Sequence, residues 1–290
     1  MLSTLLHLRV PFSYFLLPVY IFALGISPNF YGSQLIWSFV IIHFMLYPAS
    51  NGFNSYFDKD EKSIGGLKNP PLVNTSLYYI SLLLDFAAVA IAYWKISFLF
   101  SIMILIYGLV SKAYSHPSIR LKKYPIIGWI TVGIFQGSFA FLMCYVGINN
   151  FELESLTQTK IIIPALLTTV MLLGNYPMTQ IYQHEEDAKH GDKTMSILLG
   201  IRGTFIFVQI VFALATIGFI LYFNNLFTSR FSYAFLISMV PVVLFFMIWF
   251  YQVWKDNAKA DHSRTMWLNF ISATCLNSFF IYFFLENSHL

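Results

Sequence analysis

The sequence predicts an all-α, polytopic membrane protein: nine transmembrane helices around a central cavity, with the N-terminus in the cytoplasm. Three observations carry that prediction. Of the 290 residues, 58% are hydrophobic and only 10% charged, with a mean hydropathy of +0.67, far too apolar for an ordinary soluble domain. Nine runs approach the ~20 apolar residues needed to cross a hydrocarbon core as a helix. Fourteen of the seventeen Lys and Arg fall in the N-terminal segment and the loops on its side of the membrane, leaving Lys95, Lys160 and Arg230 opposite. Positive residues stay in the cytoplasm, so that side is the inner one, and nine spans put the C-terminus outside.

The runs cover residues 10–27, 33–53, 76–94, 96–113, 125–147, 160–182, 203–223, 232–254 and 266–284. Each must be helical, because lipid offers the backbone no partner and the period-two alternation of a closed barrel is absent. The first follows Arg9 and lacks a small-residue cleavage site, so it reads as a retained helix rather than a signal peptide. In the second, His43 is expected either to be a hydrogen-bonded core residue or to touch a bound ligand. Asp85 falls in the middle of the third; an ionised carboxylate there flags function by default, against the alternative of a neutral or hydrogen-bonded structural group. Gln136 and Asn175 in the fifth and sixth are candidate chamber-lining groups. Pro11, Pro18, Pro164, Pro177 and Pro241 suggest kinks. Cys144 and Cys275 sit inside spans without metal or redox spacing and read as small buried hydrophobes. No linker or appended soluble domain interrupts residues 1–290, which read as one transmembrane domain.

The polar residues are concentrated. "NGFNSYFDKDEKSIGGLKNPP", Asn51 to Pro71, follows the second span, and "QIYQHEEDAKHGDKT", Gln180 to Thr194, follows the sixth. If the second helix continues, Asn51, Asn54, Asp58 and Glu61 share one stripe, Lys62 ends it, and Asp60 points away. In the other stretch Gln183 and Asp187 share a face, with His184, Glu185 and Glu186 alongside. Amide and carboxylate oxygens of this kind suit a hard cation such as magnesium, which keeps several waters and bridges one or two carboxylates to a substrate phosphate. Between them, Lys112, Arg120, Lys122 and Lys123 place four cations on the same side. Lys123 reads as plain positive-inside topology. Arg120 and Lys122 suit a diphosphate, the one as a bidentate fork and the other as a point charge, with anionic lipid the alternative. The echo of Asn54-x-x-x-Asp58 in Gln183-x-x-x-Asp187, four helices on, fits two bundle halves facing a shared cavity.

"LRVPFSYFLLP", "NSYFD", "AYSHPSIRLK" and "EEDAKHGDKTMSILLG", in this order and on this layout, resemble the UbiA-type intramembrane prenyltransferases over essentially the whole chain. The resemblance implies two aspartate-rich motifs that hold Mg2+ and grip an isoprenyl diphosphate. Ionisation to an allylic cation then allows attack by a hydrophobic, often aromatic, acceptor. It assigns metal binding to Asn54, Asp58, Gln183, Glu185 and Asp187, with Asp58 and Asp187 catalytic. Where the family has a third acid this chain has Lys62: either Glu61 takes that metal role or Lys62 contacts phosphate. Where the second motif opens with Asp, this chain has Gln183. The diphosphate group extends to Lys112, Tyr114, Arg120, Lys122 and Lys193, and acceptor or prenyl contact to His43, Asn51 and Asn175. An integral, multi-pass protein of the cytoplasmic membrane with its site facing the cytoplasm is expected, and no nucleic-acid partner. Two other readings remain: a transporter or lipid-binding protein on the same bundle, and a family member that Lys62 and Gln183 have deprived of catalysis.

Overall fold

The computed structural model describes residues 2–28, 32–151 and 153–288. Among them, nine helices are long and apolar enough to cross a membrane: α1 Leu2–Gly25, α2 Gly32–Asp58, α3 Ser76–Lys95, α4 Phe98–Ser115, α5 Pro125–Asn149, α6 Thr159–Gln180, α7 Met195–Leu226, α8 Ser229–Lys255 and α9 His262–Asn287. The expected number and order hold, and the protein is an integral, multi-pass membrane protein. Most boundaries move by only a few residues, because apolar length in lipid fixes where a helix can cross.

The larger differences are local. α1 begins well before residue 10, as a helix Leu2–Leu8 that stops where Arg9 takes left-handed backbone angles (φ 48, ψ 44). A 3-10 stretch, Val10–Leu16, with Pro11 near its start, leads into the helix Leu17–Gly25. α7 carries a break at Gly200 (φ 69, ψ 169), so its regular part starts close to the expected residue 203. A positive φ of this kind is open to glycine at no steric cost. α2 and α5 each contain a π-helical stretch, Ile41–Leu46 and Gly133–Phe139, and such bulges re-aim the following turns. The second one packs on α6, where a Cβ at Gly137 would lie 2.5 Å from Cα of Thr169. Close backbone approach at small residues is how membrane helices gain packing when lipid removes the hydrophobic drive between them.

The two ends of the bundle differ. At the ends of α1, α7 and α9 distant from the polar loops, Phe22 stacks on Phe280 (centroids 4.3 Å apart), with Phe219, Phe223 and Phe283 around them, all fully or almost fully buried. This aromatic core plugs that end. Leu83, Phe86, Ile210, Leu214 and Ile237 are exposed on the outer faces and meet lipid. Polar side chains replace the core at the opposite end, and a cavity opens there.

Asp85 resolves as an ion-paired residue. It meets Lys112 between the antiparallel helices α3 and α4, both side chains 17% exposed. Lys112 therefore reaches along the helix toward the bilayer interior, its Nζ 5.1 Å from the centre of the Phe53 ring. Gly108, one turn earlier, packs beside the carboxylate, and a Cβ there would lie in ordinary contact, 3.5 Å from Oδ1 of Asp85. Breaking such a pair strands a charge, whereas replacing both partners by apolar groups does not. Asp85→Asn should cost about 3–5 kcal/mol in reversible unfolding in detergent, and Asp85→Leu with Lys112→Met much less. Equal losses in the two proteins would show that the pair does not fasten α3 to α4.

Candidate active site

The cavity, of about 250 Å3, is walled by the inner ends of α1, α2, α4, α5 and α6 and by the loops that follow α2, α4 and α6. α2 supplies Asn51, Asn54 and Asp58 on consecutive turns, as the helical stripe requires. Ser115 donates from Oγ to Oδ1 of Asn54 (2.7 Å), which orients that amide. The stripe ends at Asp58, because Lys59 turns left-handed (φ 51, ψ 38) and terminates the helix.

That turn reverses the expected facing of the next residues. Asp60 lines the cavity rather than pointing away. Glu61 and Lys62 leave the wall: the Glu61 backbone N–H donates to Oε2 of Glu186 (3.4 Å), and Lys62 pairs with Glu185, both of these side chains being exposed. Glu61, Lys62 and Glu185, expected on metal and phosphate, instead tie the two acidic loops to each other.

After α6 the chain turns at Gln183, which caps the short helix His184–Lys189. The N–H of Asp187 donates to the carbonyl of Gln183 (2.9 Å), and both residues line the cavity. His184 turns the other way and hydrogen-bonds Ser196 (2.8 Å). Thr194 lines the wall and donates to Oδ2 of Asp187 (3.4 Å), whereas the Lys193 side chain is exposed and outside it.

The basic loop delivers two of its expected cations. Lys122 lines the cavity with Nζ 2.5 Å from Asp58 and 3.5 Å from Asp192. Arg120 is held by Asp192 through two hydrogen bonds and lies 3.5 Å from Asp58. Lys112 is spent on Asp85, away from the cavity. Tyr114 lines it and meets the hydroxyl of Tyr176 from α6. Asn175 and Gln136 are on the wall as expected. His43 is not: it is 2% exposed and packed among Tyr20, Phe39 and Tyr47, the core position that was the alternative.

Sequence reasoning missed Arg9, Asp60, Tyr176, Tyr182, His190 and Asp192. Arg9 enters the wall because its backbone break swings the side chain inward; it donates to the carbonyls of Gly65 (3.0 Å) and Asn51 (3.3 Å). A lone Arg two residues before Pro11 at the head of an apolar run was the available signal.

Among the described residues no three His, Cys, Asp or Glu form a ready metal cluster. The donor set nonetheless fits a divalent cation that keeps waters: Asp58, Asp60 and Asp187, with the amides of Asn54 and Gln183, face one space. Their electrostatics point the same way. Burial pushes the Asp187 carboxyl up to about 7, with Lys122 opposing and Asp192, Asp60 and Asp58 adding to the rise. Burial, then Asp58, lifts Asp60 to about 6, against Lys122 and His190. A cation held here would relieve that repulsion.

The sign for stability follows. Both carboxyls bind protons in the fold at pH values where the unfolded chain, near 3.8, has released them. Without metal, stability is therefore greatest below about pH 4 as far as these two groups are concerned, and falls as pH rises toward 7. Unfolding midpoints in detergent with a chelator, from pH 4.5 to 8, should show this fall, and Asp187→Asn should flatten it and raise the midpoint at pH 8. A wild-type midpoint that rises through this range, with no difference in the variant, would contradict the assignment.

The sequence matches the UbiA prenyltransferase family over residues 13–272. In solved structures the fold is similar to a UbiA homolog from Archaeoglobus fulgidus bound to GPP and Mg2+, at 19% identity and a TM-score of 0.71 over 99% of this chain and 100% of that one. The same homolog bound to Cd2+ gives 18% and 0.68 over 99% and 100%. A structure of digeranylgeranylglyceryl phosphate synthase gives 18% and 0.62 over 99% and 98%. No curated protein matches in sequence. The structural likenesses establish the shared fold, and with the match over most of its length the chain belongs to the UbiA prenyltransferase family.

Proposed function

We propose that this protein is a magnesium-dependent prenyltransferase that moves an isoprenyl group from a polyprenyl diphosphate to a hydrophobic acceptor inside the membrane. One observation carries the reading: Asp58 and Asp60 at the end of α2 and Asp187 after α6, more than a hundred residues apart, meet in one cavity with Lys122 on its wall and Arg120 behind it, 3.5 Å from Asp58. The family membership and the GPP and Mg2+ held by the Archaeoglobus fulgidus homolog support it.

On this reading Asn54, Asp58, Gln183 and Asp187 hold magnesium, with Asp60 now beside them. Magnesium, when bound, neutralises charge that develops on the diphosphate oxygens as it leaves. Lys122 and Arg120 contact the same oxygens, and such preorganised charges are the largest contribution to catalysis of this kind. Breaking the carbon–oxygen bond leaves an allylic cation, which the faces of Tyr107, Phe135 and Tyr176 on the wall can stabilise by roughly 0.5–2 kcal/mol each. The helix walls keep out water that would otherwise capture the cation. The acceptor adds a carbon–carbon or carbon–heteroatom bond and loses one proton. The excess of Lys and Arg at this end supports a site that opens to the cytoplasm, in the cytoplasmic membrane.

Purified protein in lipid, given a prenyl diphosphate, Mg2+ and extracts containing aromatic or lipid-alcohol acceptors, should release diphosphate and form a prenylated product seen by mass spectrometry. Asp58→Asn and Asp187→Asn should each lower turnover by at least about 100-fold, the loss typical for one preorganised electrostatic contact, and chelation should abolish it. Undiminished turnover in both variants would refute the proposal.

A further inference from the structure

Asp192 is among the most buried charges in the chain, its side chain 1% exposed, yet it is not on the cavity wall. Oδ1 accepts from Nε of Arg120 at 2.8 Å and Oδ2 from Nη2 at 2.9 Å, a fork-to-fork pair. Both oxygens are thereby engaged by the guanidinium, and the residue lies behind the wall. The pair joins two loops that are also joined by their backbones, where the N–H of Lys193 donates to the carbonyl of Lys123 (3.2 Å). Asp192 itself is set by Gly191, with φ +70, and by its own N–H donating to the carbonyl of Asp187 (2.9 Å). Arg120 carries the complementary strain, a non-glycine residue at φ 48, ψ 60. Backbone of this kind persists where surrounding contacts over-determine it, and it concentrates at working sites.

We propose that Asp192 is a positioning residue for the diphosphate: it fixes Arg120 beside the wall residue Asp58, 3.5 Å from its carboxylate, so that the unspent N–H groups of the fork can reach phosphate oxygens. This deepens the prenyltransferase reading and rests on it. A guanidinium has five N–H groups, of which this pair uses two, so the same fork serves Asp192 on one edge and an anion on the other. Lys122, 3.5 Å from Oδ2 of Asp192, shares the anchor. The role differs from that of Asp58, which faces the cavity and is free to exchange its cations for a metal.

The test is a double-mutant cycle on the full chain in lipid, read by Mg2+-dependent binding of a prenyl thiolodiphosphate, which ionises too slowly to turn over. Asp192→Asn should weaken binding by about tenfold to a hundredfold, the range for hydrogen bonds to charged groups, and should raise KM for prenyl diphosphate more than it lowers kcat. Arg120→Lys, which keeps the charge but loses the fork, should do the same. The double variant should be no worse than Arg120→Lys alone within about twofold, because the two act as one unit. The Mg2+ midpoint measured without the prenyl ligand should stay in place; a shift there would make Asp192 a metal ligand and overturn the inference. Additive losses, or unweakened binding in Asp192→Asn, would also overturn it while leaving the enzyme reading intact. Should Asp192→Asn not fold, Asp192→Glu takes its place in the cycle, its carboxylate displaced by one methylene, with the same criteria. Absence of Mg2+-dependent binding by the wild type would instead remove the prenyltransferase reading, and this inference with it.

Discussion

Four buried charges hold the polar end of the bundle together. Asp58 ends α2, Arg120 and Lys122 belong to the loop after α4, and Asp192 to the loop after α6, so one alternating network joins three segments far apart in sequence. Each member is at most 13% exposed. Charges so far from water are tolerable only when paired and hydrogen-bonded. The network is balanced, two against two, and removal of any one leaves a partner without compensation. The aromatic plug around Phe22 and Phe280 fixes the other end by dispersion, which is nondirectional; the network fixes this end by geometry. A polar-lined cavity can persist between them because neither fastening needs to fill it.

The same constraint explains what the sequence could and could not convey. The nine spans were readable because lipid makes apolar length nearly sufficient, and α3, α5 and α6 lie almost where hydropathy places them. The stripe Asn51, Asn54 and Asp58 was readable for as long as helical periodicity held. It failed one residue later, at Lys59, whose left-handed turn has no compositional signature and is set by what the following loop must reach. Asp60, Glu61 and Lys62 were consequently assigned to the wrong sides. Arg9 escaped notice for the same reason, a positive φ in a non-glycine residue. Asp192 was unreadable for a different one: its partner is 72 residues away, and a lone Asp after glycine looks like any turn.

Lys62 and Gln183, the two departures from the family pattern, take on distinct meanings once placed. Lys62 lies outside the cavity and pairs with Glu185, so the exchange of acid for base gives a link between loops. The cavity still has three carboxylates, because Asp60 comes onto the wall beside Asp58 and Asp187. Gln183 stays on the wall and retains an oxygen donor while giving up a charge. With Asp187 already lifted to about 7 by burial and by its acidic neighbours, a further carboxylate at 183 would be harder to ionise. A neutral oxygen there spares Asp187 a further rise.

Electrostatic strain and substrate chemistry are therefore coupled through one set of atoms. In the protein alone, Lys122 and Arg120 compensate Asp58 while Asp187 and Asp60 resist ionisation. A divalent cation held among these acids would relieve both conditions, since it would satisfy the carboxylates and weaken the hold of Asp58 on Lys122. Lys122 and Arg120 would then keep only Asp192, behind the wall, and on the proposed function a diphosphate would supply the anion within the cavity. On the proposed function, metal and diphosphate would each remove a cost that the other faces, so their binding would be mutually reinforcing, a positive linkage arising from the placement of Asp58 between the two.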